Sequence, residues 1–384
     1  MQITLFGLAY GLFIGLVVLH ELGHLWAARR AGVKVKEFGL FFPPRLFAKK
    51  LRSGLTLSLN LIPLGGFVRL KGEHDADRGP GAFGATSLSN KIKITLAGVA
   101  MNLLVAVVLF LGLALTATPQ LIDNQFRIAS DSRIVRNLLL IGDVQPGSPA
   151  AHAGLKPGDR LISLAGRPLT GSDQLSATTR QLAGQPVKLE YQRSGQVLTT
   201  TVTLRSAAEA AASQPSSQPK GYLGVSSSQI EYRRATWSAP LAALGLTRQL
   251  AVLTVQGIWH ALSGLASTVA GLVTANHQAR ENGQSLASNQ VGGLVTLTIA
   301  FWHTGNLGIS YILMLIGAIS LTLAVVNLLP IPALDGGRLA VMLIFRALRR
   351  PLSRATEELI QVTGMVIVLT LIVLVTIADV HRNF

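Results

Sequence analysis

Four apolar runs, at about 3–28, 94–118, 307–330 and 359–378, are each long enough to cross a hydrocarbon core of about 30 Å. No other feature limits the fold so tightly. Inside a bilayer the backbone has no water to bond, so runs of this kind must be helices packed on one another. Only 14% of the 384 residues are charged, and the mean hydropathy is +0.45. Soluble domains carry about 25% charge. The expected fold is therefore a polytopic α-helical membrane protein with about four transmembrane helices. The first run has no basic stretch before it and no small-residue cleavage site, so it reads as a mature helix and not as a secretion signal.

The formal net charge of +16 invites a nucleic-acid reading, but the distribution of the charge opposes it. Thirteen of the 34 lysines and arginines fall between Arg29 and Lys93, directly after the first run. Another cluster, RALRRPLSR, occupies 346–354, between the last two runs. Positive charge gathers in short cytoplasmic loops. Segments 29–93 and 338–354 are thus expected in the cytoplasm. The N-terminus, residues 119–306 and the tail DVHRNF are expected outside. The basic charge then serves topology beside membrane lipid, and no nucleic-acid partner is expected.

The loops differ in kind. Residues 29–93 hold GLTLSLNLIPLGGFVRLKG, which alternates apolar and polar residues and is broken by Pro63 and Gly65–Gly66. This predicts a membrane-associated β-hairpin over 34–72, packed on protein because lipid-exposed sheet edges are forbidden. Within 119–205, residues 138–205 read as a small soluble α+β domain, with a hairpin turn at Ser194–Gly195. Residues 206–221 read as a linker, and 206–306 as linker plus an external amphipathic region. The last two spans occupy 307–384.

Within the first run lies HELGH. His20 and His24, four residues apart, project from one helical face, with Glu21 beside them. Two imidazoles at that spacing bind zinc, and the glutamate serves as base toward water. Ionisable groups at membrane depth are costly, so the motif needs a function to sustain it. The chain has no cysteine, so further ligands must be His, Asp or Glu. Asp335, in NLLPIPALDGG, is the expected third ligand. His20, His24 and Asp335 share one depth only if residues 119–306 begin and end on the same side. The charge-free run 250–274 is accordingly expected to lie on the outer face. Asn102 and Asn327 fall at the same depth. Each is either a donor to substrate or oxyanion, or an interhelical hydrogen-bonding residue.

The quoted motifs HELGH, IPLGGFVRLKGE (62–73), AGVAMN (97–102), GSPAAHAGLKPGDRLISLAG (147–166) and NLLPIPALDGG resemble the bacterial site-2 proteases, intramembrane zinc metalloproteases. One departure is Val99 after Gly98, where the family commonly has proline. The resemblance implies one Zn2+ per chain on His20, His24 and Asp335, with Glu21 as catalytic base and Asn102 and Asn327 in support. It implies that 138–205 is an inserted extracytoplasmic PDZ-like domain, which binds substrate C-termini or filters substrates by size. It also implies residence in the bacterial cytoplasmic membrane, with the active site near the cytoplasmic side. Substrates would be single-span membrane proteins such as trimmed anti-sigma factors or remnant signal peptides. A helical substrate hides its carbonyls, so Thr56, Leu57, Ser58, Leu59 and Asn60 are expected to pair with an unwound substrate strand; the other use of the hairpin is as a cap. The competing class is a membrane zinc transporter or scaffold, which would not need Glu21.

Overall fold

The computed structural model describes residues 2–212, 221–273, 294–303 and 307–383. The helices, in chain order, are α1 (Gln2–Arg30), α2 (Leu88–Thr116), α3 (Pro149–His152), α4 (Ser172–Gln181), α5 (Ala207–Ala212), α6 (Ala239–Val273), α7 (Leu294–His303), α8 (Ile309–Leu328), α9 (Asp335–Ala347) and α10 (Arg354–Asn383). The strands are β1 (Val35–Lys50), β2 (Thr56–Leu70), β3 (Thr118–Pro119), β4 (Arg133–Val144), β5 (Arg160–Leu164), β6 (Arg167–Pro168), β7 (Pro186–Arg193), β8 (Gln196–Thr203) and β9 (Val225–Arg234). They fall into two compact units, one of residues 1–9, 110–246 and 299–314, the other of 10–109, 247–298 and 315–384.

Among the described residues five helices are long and apolar enough to cross a membrane: α1, α2, α6, α8 and α10. Four of them carry the four apolar runs. The fifth, α6, is continuous over 35 residues and begins eleven residues before the run that marked it. The expected run 250–274 extends one residue past the described end of α6.

The first unit is built on a sheet ordered β3-β9-β4-β5-β7-β8, with β6 paired to β5. Its apolar core joins Leu139 and Ile141 of β4, Leu161 and Leu164 of β5, and Leu189 and Tyr191 of β7. The β7–β8 turn is Ser194–Gly195, both with positive φ (52° and 82°), as a two-residue hairpin matching strand twist requires. Ser148 caps α3 by accepting from the Ala151 N–H. The sheet continues beyond the expected span of 138–205. The strand β4 starts at Arg133, and β9 pairs with it from Arg133↔Arg234 to Val144↔Val225. Strand β9 comes from beyond the expected linker. Its sequence, VSSSQIEYRR, is too polar to advertise a strand inside a sheet. Of the expected linker, 213–220 lie outside the described residues, as do 274–293 and 304–306 of the expected external region.

A carboxylate organises the turn into α6. Buried Asp131 accepts from the backbone N–H and hydroxyl of both Thr236 and Ser238, at 2.6–2.9 Å. The Thr236 hydroxyl first, and then the Ser238 donors, hold its carboxyl well below the usual carboxylate range. The folded state therefore favours the charged form. The stabilisation is fully present above about pH 4, the ordinary carboxylate value, and is lost as pH falls toward the depressed one. Asp131→Asn is expected to lower the thermal midpoint near neutrality, and the gap from the parent should narrow below about pH 4. Melting curves from pH 3 to 7 test this; a constant gap would remove the charge from the explanation.

In the second unit β1 and β2 are long strands that bend on themselves, so four segments form a small sheet. Residues 37–40 sit between two neighbours: 66–69 on one side and 56–59 on the other. Residues 56–60 in turn are paired on their far side with 45–50. Thr56, Leu57, Ser58, Leu59 and Asn60 thus form an interior strand, and the expectation that they present a free edge to substrate is not met. Asn60 is also committed, its amide donating to the carbonyls of Leu40 and Phe41. Residues 66–69 have a strand neighbour on one side only among the described residues.

Candidate active site

Two backbone elements converge on one point of the second unit. The C-terminal half of α1 carries His20, Glu21 and His24. The first residue of α9 is Asp335, whose placement depends on the glycines that follow. A Cβ at Gly336 would strike the Leu328 carbonyl, and one at Gly337 the Ile331 carbonyl. Only residues without side chains let α9 start this close to the end of α8. The turn between them is held by the Ala333 N–H donating to Gln361 of α10 at 2.9 Å. Leu334, and not Asp335, is the N-cap residue of α9, which leaves the carboxylate free to reach across to α1.

His20 Nε2 and His24 Nε2 stand 3.2 Å apart, and Asp335 Oδ2 lies 3.3 Å from each. Among the described residues these form the group of three potential metal donors. Donors about 2.0–2.2 Å from a tetrahedral zinc would stand about 3.3–3.6 Å apart, so the spacing fits. The buried Asp335 Oδ2 has no hydrogen-bond partner of its own. His24 Nδ1 lies 2.8 Å from the Ile94 carbonyl of α2 and donates to it when it carries the proton, which turns the Nε2 lone pair toward Asp335. The residues present therefore fit a zinc ion. Space for one is kept by Gly98 of α2. A Cβ there would stand 2.6 Å from His20 Nε2 and press closer still on His24 Nε2.

A cavity of about 450 Å³ opens on this cluster. His20, Glu21, His24, Asp335, Asn102 and Asn327 all line it, so the structure brings six of the expected site residues to one space. Asn102 is 1% exposed, and neither polar atom of its side chain has a partner. Its backbone carbonyl accepts from Ser320 of α8 at 2.8 Å, which pins α2 to α8 at this depth. Among the described residues the Asn102 side chain makes no interhelical hydrogen bond, and the residue lines the cavity. The strand segment 65–68 of β2 forms another wall, and α10 supplies an apolar one through Met365, Val368 and Ile372. Thr56–Asn60 do not line it.

Other contributors went unread in the sequence. Gly66 of β2 runs against Glu21: a Cβ on it would sit 3.0 Å from Glu21 Cγ. Arg338, one turn after Asp335, donates to the Glu73 carbonyl, stacks 4.7 Å from the Phe83 ring centroid and faces buried Glu357 at 3.7 Å. Glu357 also accepts from the Asp75 N–H at 2.8 Å. Loop 71–84, α9 and α10 are thereby locked together behind the carboxylate. A glycine inside a helix, which costs about 1 kcal/mol against alanine, was the available signal for Gly98. The Arg338–Glu357 pairing has no local signal.

The sequence model of peptidase family M50 matches residues 8–371. The chain belongs to peptidase family M50. Similar relatives include a zinc metalloprotease, Rip1, of Mycobacterium tuberculosis, 28% identical over 86% of this chain and 83% of the relative. A Clostridium perfringens chain bearing a zinc-metalloprotease name is 29% identical over 96% of both chains. A protease of Enterococcus faecalis, Eep, is 26% identical over 96% of this chain and 97% of its own. This M50 peptidase is thus a zinc metalloendopeptidase of the site-2 protease type, an integral membrane enzyme with several apolar helices and β-sheets. Family membership and the relatives' names set the chain apart from the transporter or scaffold alternative.

Proposed function

We propose that His20, His24 and Asp335 hold one zinc ion, that Glu21 is the general base, and that the enzyme cuts peptide bonds inside transmembrane segments of single-span membrane proteins. Trimmed anti-sigma factors and remnant signal peptides are the substrate classes the family resemblance suggests. The observation that carries the reading is the meeting of the three donor atoms at 3.2–3.3 Å with Glu21 on the wall of the same cavity. Bound zinc supplies a Lewis acid and lowers the pKa of water to about 7. Glu21 takes the proton from the attacking water and passes it to the leaving amine. The unpartnered amide of Asn102, with Asn327, donates to the substrate carbonyl as negative charge develops there.

The open edge of β2 supports a substrate platform different from the one read in the sequence. Residues 66–68 border the cavity, and 66–69 lack a second strand neighbour among the described residues, so an unwound substrate can add there as a strand beside Glu21. Proline has no N–H and breaks such pairing. Of Phe67→Pro and Val68→Pro, the one whose N–H points outward is expected to cut cleavage about 10-fold or more with zinc retained; this rests on the loss of at least one or two hydrogen bonds to the substrate. Ser58→Pro, in the interior strand, is expected to lower folded yield instead. Unchanged cleavage in both edge variants would retire the platform.

The sheet of the first unit is proposed to be the PDZ-like extracytoplasmic domain, binding substrate C-termini or excluding bulky outer domains. Four crossings, α1, α2, α8 and α10, with both termini outside and the active site near the cytoplasmic face of the inner membrane, are supported by the basic loops. They are supported too by the shared depth of His20, His24 and Asp335. On this topology α6 stays at the outer surface, since a lone further crossing would part Asp335 from the histidines, and α7, at ten residues, is short for a return. The decisive experiment incubates the purified protein with a panel of single-span peptides, with and without a zinc chelator. Cleavage within the apolar segment that stops with chelator and returns with zinc is expected. Zinc-loaded protein that cleaves none of them would overturn the substrate class.

A further inference from the structure

We infer that the groove between α1 and α2, which shares no lining residue with the catalytic cavity, is a binding site for an anionic phospholipid. The inference rests on these two helices spanning the membrane and goes beyond the peptidase activity. The groove has a volume of about 780 Å³. Its floor is made of small and apolar residues, among them Gly23, Ala27, Ala97 and Ala100, with Leu104 further along. The helices touch there through backbone: a Cβ at Gly23 would stand 2.6 Å from the Ala97 carbonyl oxygen. A trough of this kind, floored by side chains too small to fill it, accepts an acyl chain lying along the helices.

The mouth of the groove is of a different chemistry. Arg30, at the end of α1, and Lys93, in the second turn of α2, flank it, with Asn90 beside them. Trp26 is 62% exposed on its rim, and the Arg30 guanidinium lies 5.5 Å from the Trp26 ring centroid. Tryptophan at a span end marks headgroup level, where its ring sits half in hydrocarbon. No acidic residue lines the groove among the described residues. Two cations without a lining carboxylate, at headgroup depth above an apolar trough, complement a phosphodiester carrying net negative charge on an acyl body. A transmembrane substrate helix would fill the trough but leave both cations unanswered. A zwitterionic headgroup brings its own cation and gains little. The same two helices border the candidate metal centre: His24, which follows Gly23, is one of its three donors, and Gly98, which follows Ala97, leaves the space beside the imidazoles, while Asp335 comes from α9. A lipid seated in the groove therefore bears on the α1–α2 spacing that holds the histidines.

The full-length protein in detergent, incubated with dioleoyl-phosphatidylglycerol, dioleoyl-phosphatidylcholine or inorganic phosphate, is analysed by native mass spectrometry with zinc content measured in parallel. One tightly retained phosphatidylglycerol is expected, with phosphatidylcholine at least about 5-fold weaker and phosphate not retained; each basic residue at a membrane surface strengthens binding about 5-fold. Arg30→Gln with Lys93→Gln is expected to weaken phosphatidylglycerol about 25-fold. Ala100→Trp, which fills the trough, should displace the lipid with both charges intact. Arg349→Gln with Arg350→Gln should change nothing. Zinc retention in each variant shows that the fold survives. Equal retention of the two lipids, retention of phosphate alone, or indifference to Arg30→Gln with Lys93→Gln would overturn the site. So would an Ala100→Trp protein that still binds phosphatidylglycerol but no longer cleaves a single-span substrate, since the groove would then be a substrate path.

Discussion

Glu21→Gln is expected to retain zinc and to cut cleavage by about 10²–10⁴, the usual contribution of a general base. The amide keeps the shape of the side chain and still packs against Gly66, but it cannot take a proton from water. His24→Ala and Asp335→Ala are expected to lose zinc and cleavage together. Each removes one of three donors whose separations are 3.2–3.3 Å, and two donors do not hold a structural geometry around zinc. Metal analysis beside a cleavage assay on one single-span peptide separates the two outcomes. Near-normal turnover of Glu21→Gln would end its role as base while leaving the metal site standing. Zinc retained in Asp335→Ala would mean that another residue is the third ligand.

Gly98→Val is expected to empty the metal site and bring cleavage to background, although Gly98 has no side chain with which to bind anything. The reason is steric. The space into which a Cβ would project is bounded by His24 Nε2 and by His20 Cε1 and Nε2 at 2.5 and 2.6 Å. A methyl group already forces the imidazoles off the positions from which both face Asp335, and the two branches of valine force them further. Gly98→Ala should therefore show weakened zinc affinity, and Gly98→Val none measurable. Zinc titration followed by metal analysis and circular dichroism distinguishes this from unfolding, because the apolar helices should remain. Full zinc occupancy in a folded Gly98→Val protein would show that the histidines do not use this space.

Much of the site was legible because its signals are local. A helix repeats about every 3.6 residues, so HELGH puts two imidazoles on one face wherever it occurs in a helix. Depth and loop charge, read from the sequence, led to the expectation that Asp335, Asn102 and Asn327 lie level with His20 and His24. These five and Glu21 line the same cavity. Strand character over 34–72 and the Ser194–Gly195 turn were legible for the same reason, through alternation and through residues that tolerate positive φ.

Sheet order is a different kind of fact. Alternation marks Thr56–Asn60 and Gly66–Arg69 equally well as strand, but nothing in either segment says which has neighbours on both sides. That follows from β1 and β2 bending so that 37–40 lies between 66–69 and 56–59. Strand β9 was missed likewise, because its place beside β4 depends on a partner about ninety residues earlier, not on its own polar sequence. Arg338, Glu73 and Glu357 are ordinary charged residues until α9, α10 and loop 71–84 come together. Gly98 and Gly66 matter through what they leave out, and an absent side chain has meaning only against a neighbour. The sequence by itself determined which residues are candidates for the chemistry and which runs become long apolar helices, since helical period and hydropathy act within a segment. Only the tertiary structure decided which strand edge stays open to a substrate and which glycines keep room for the metal, because those depend on contacts between segments far apart in the chain.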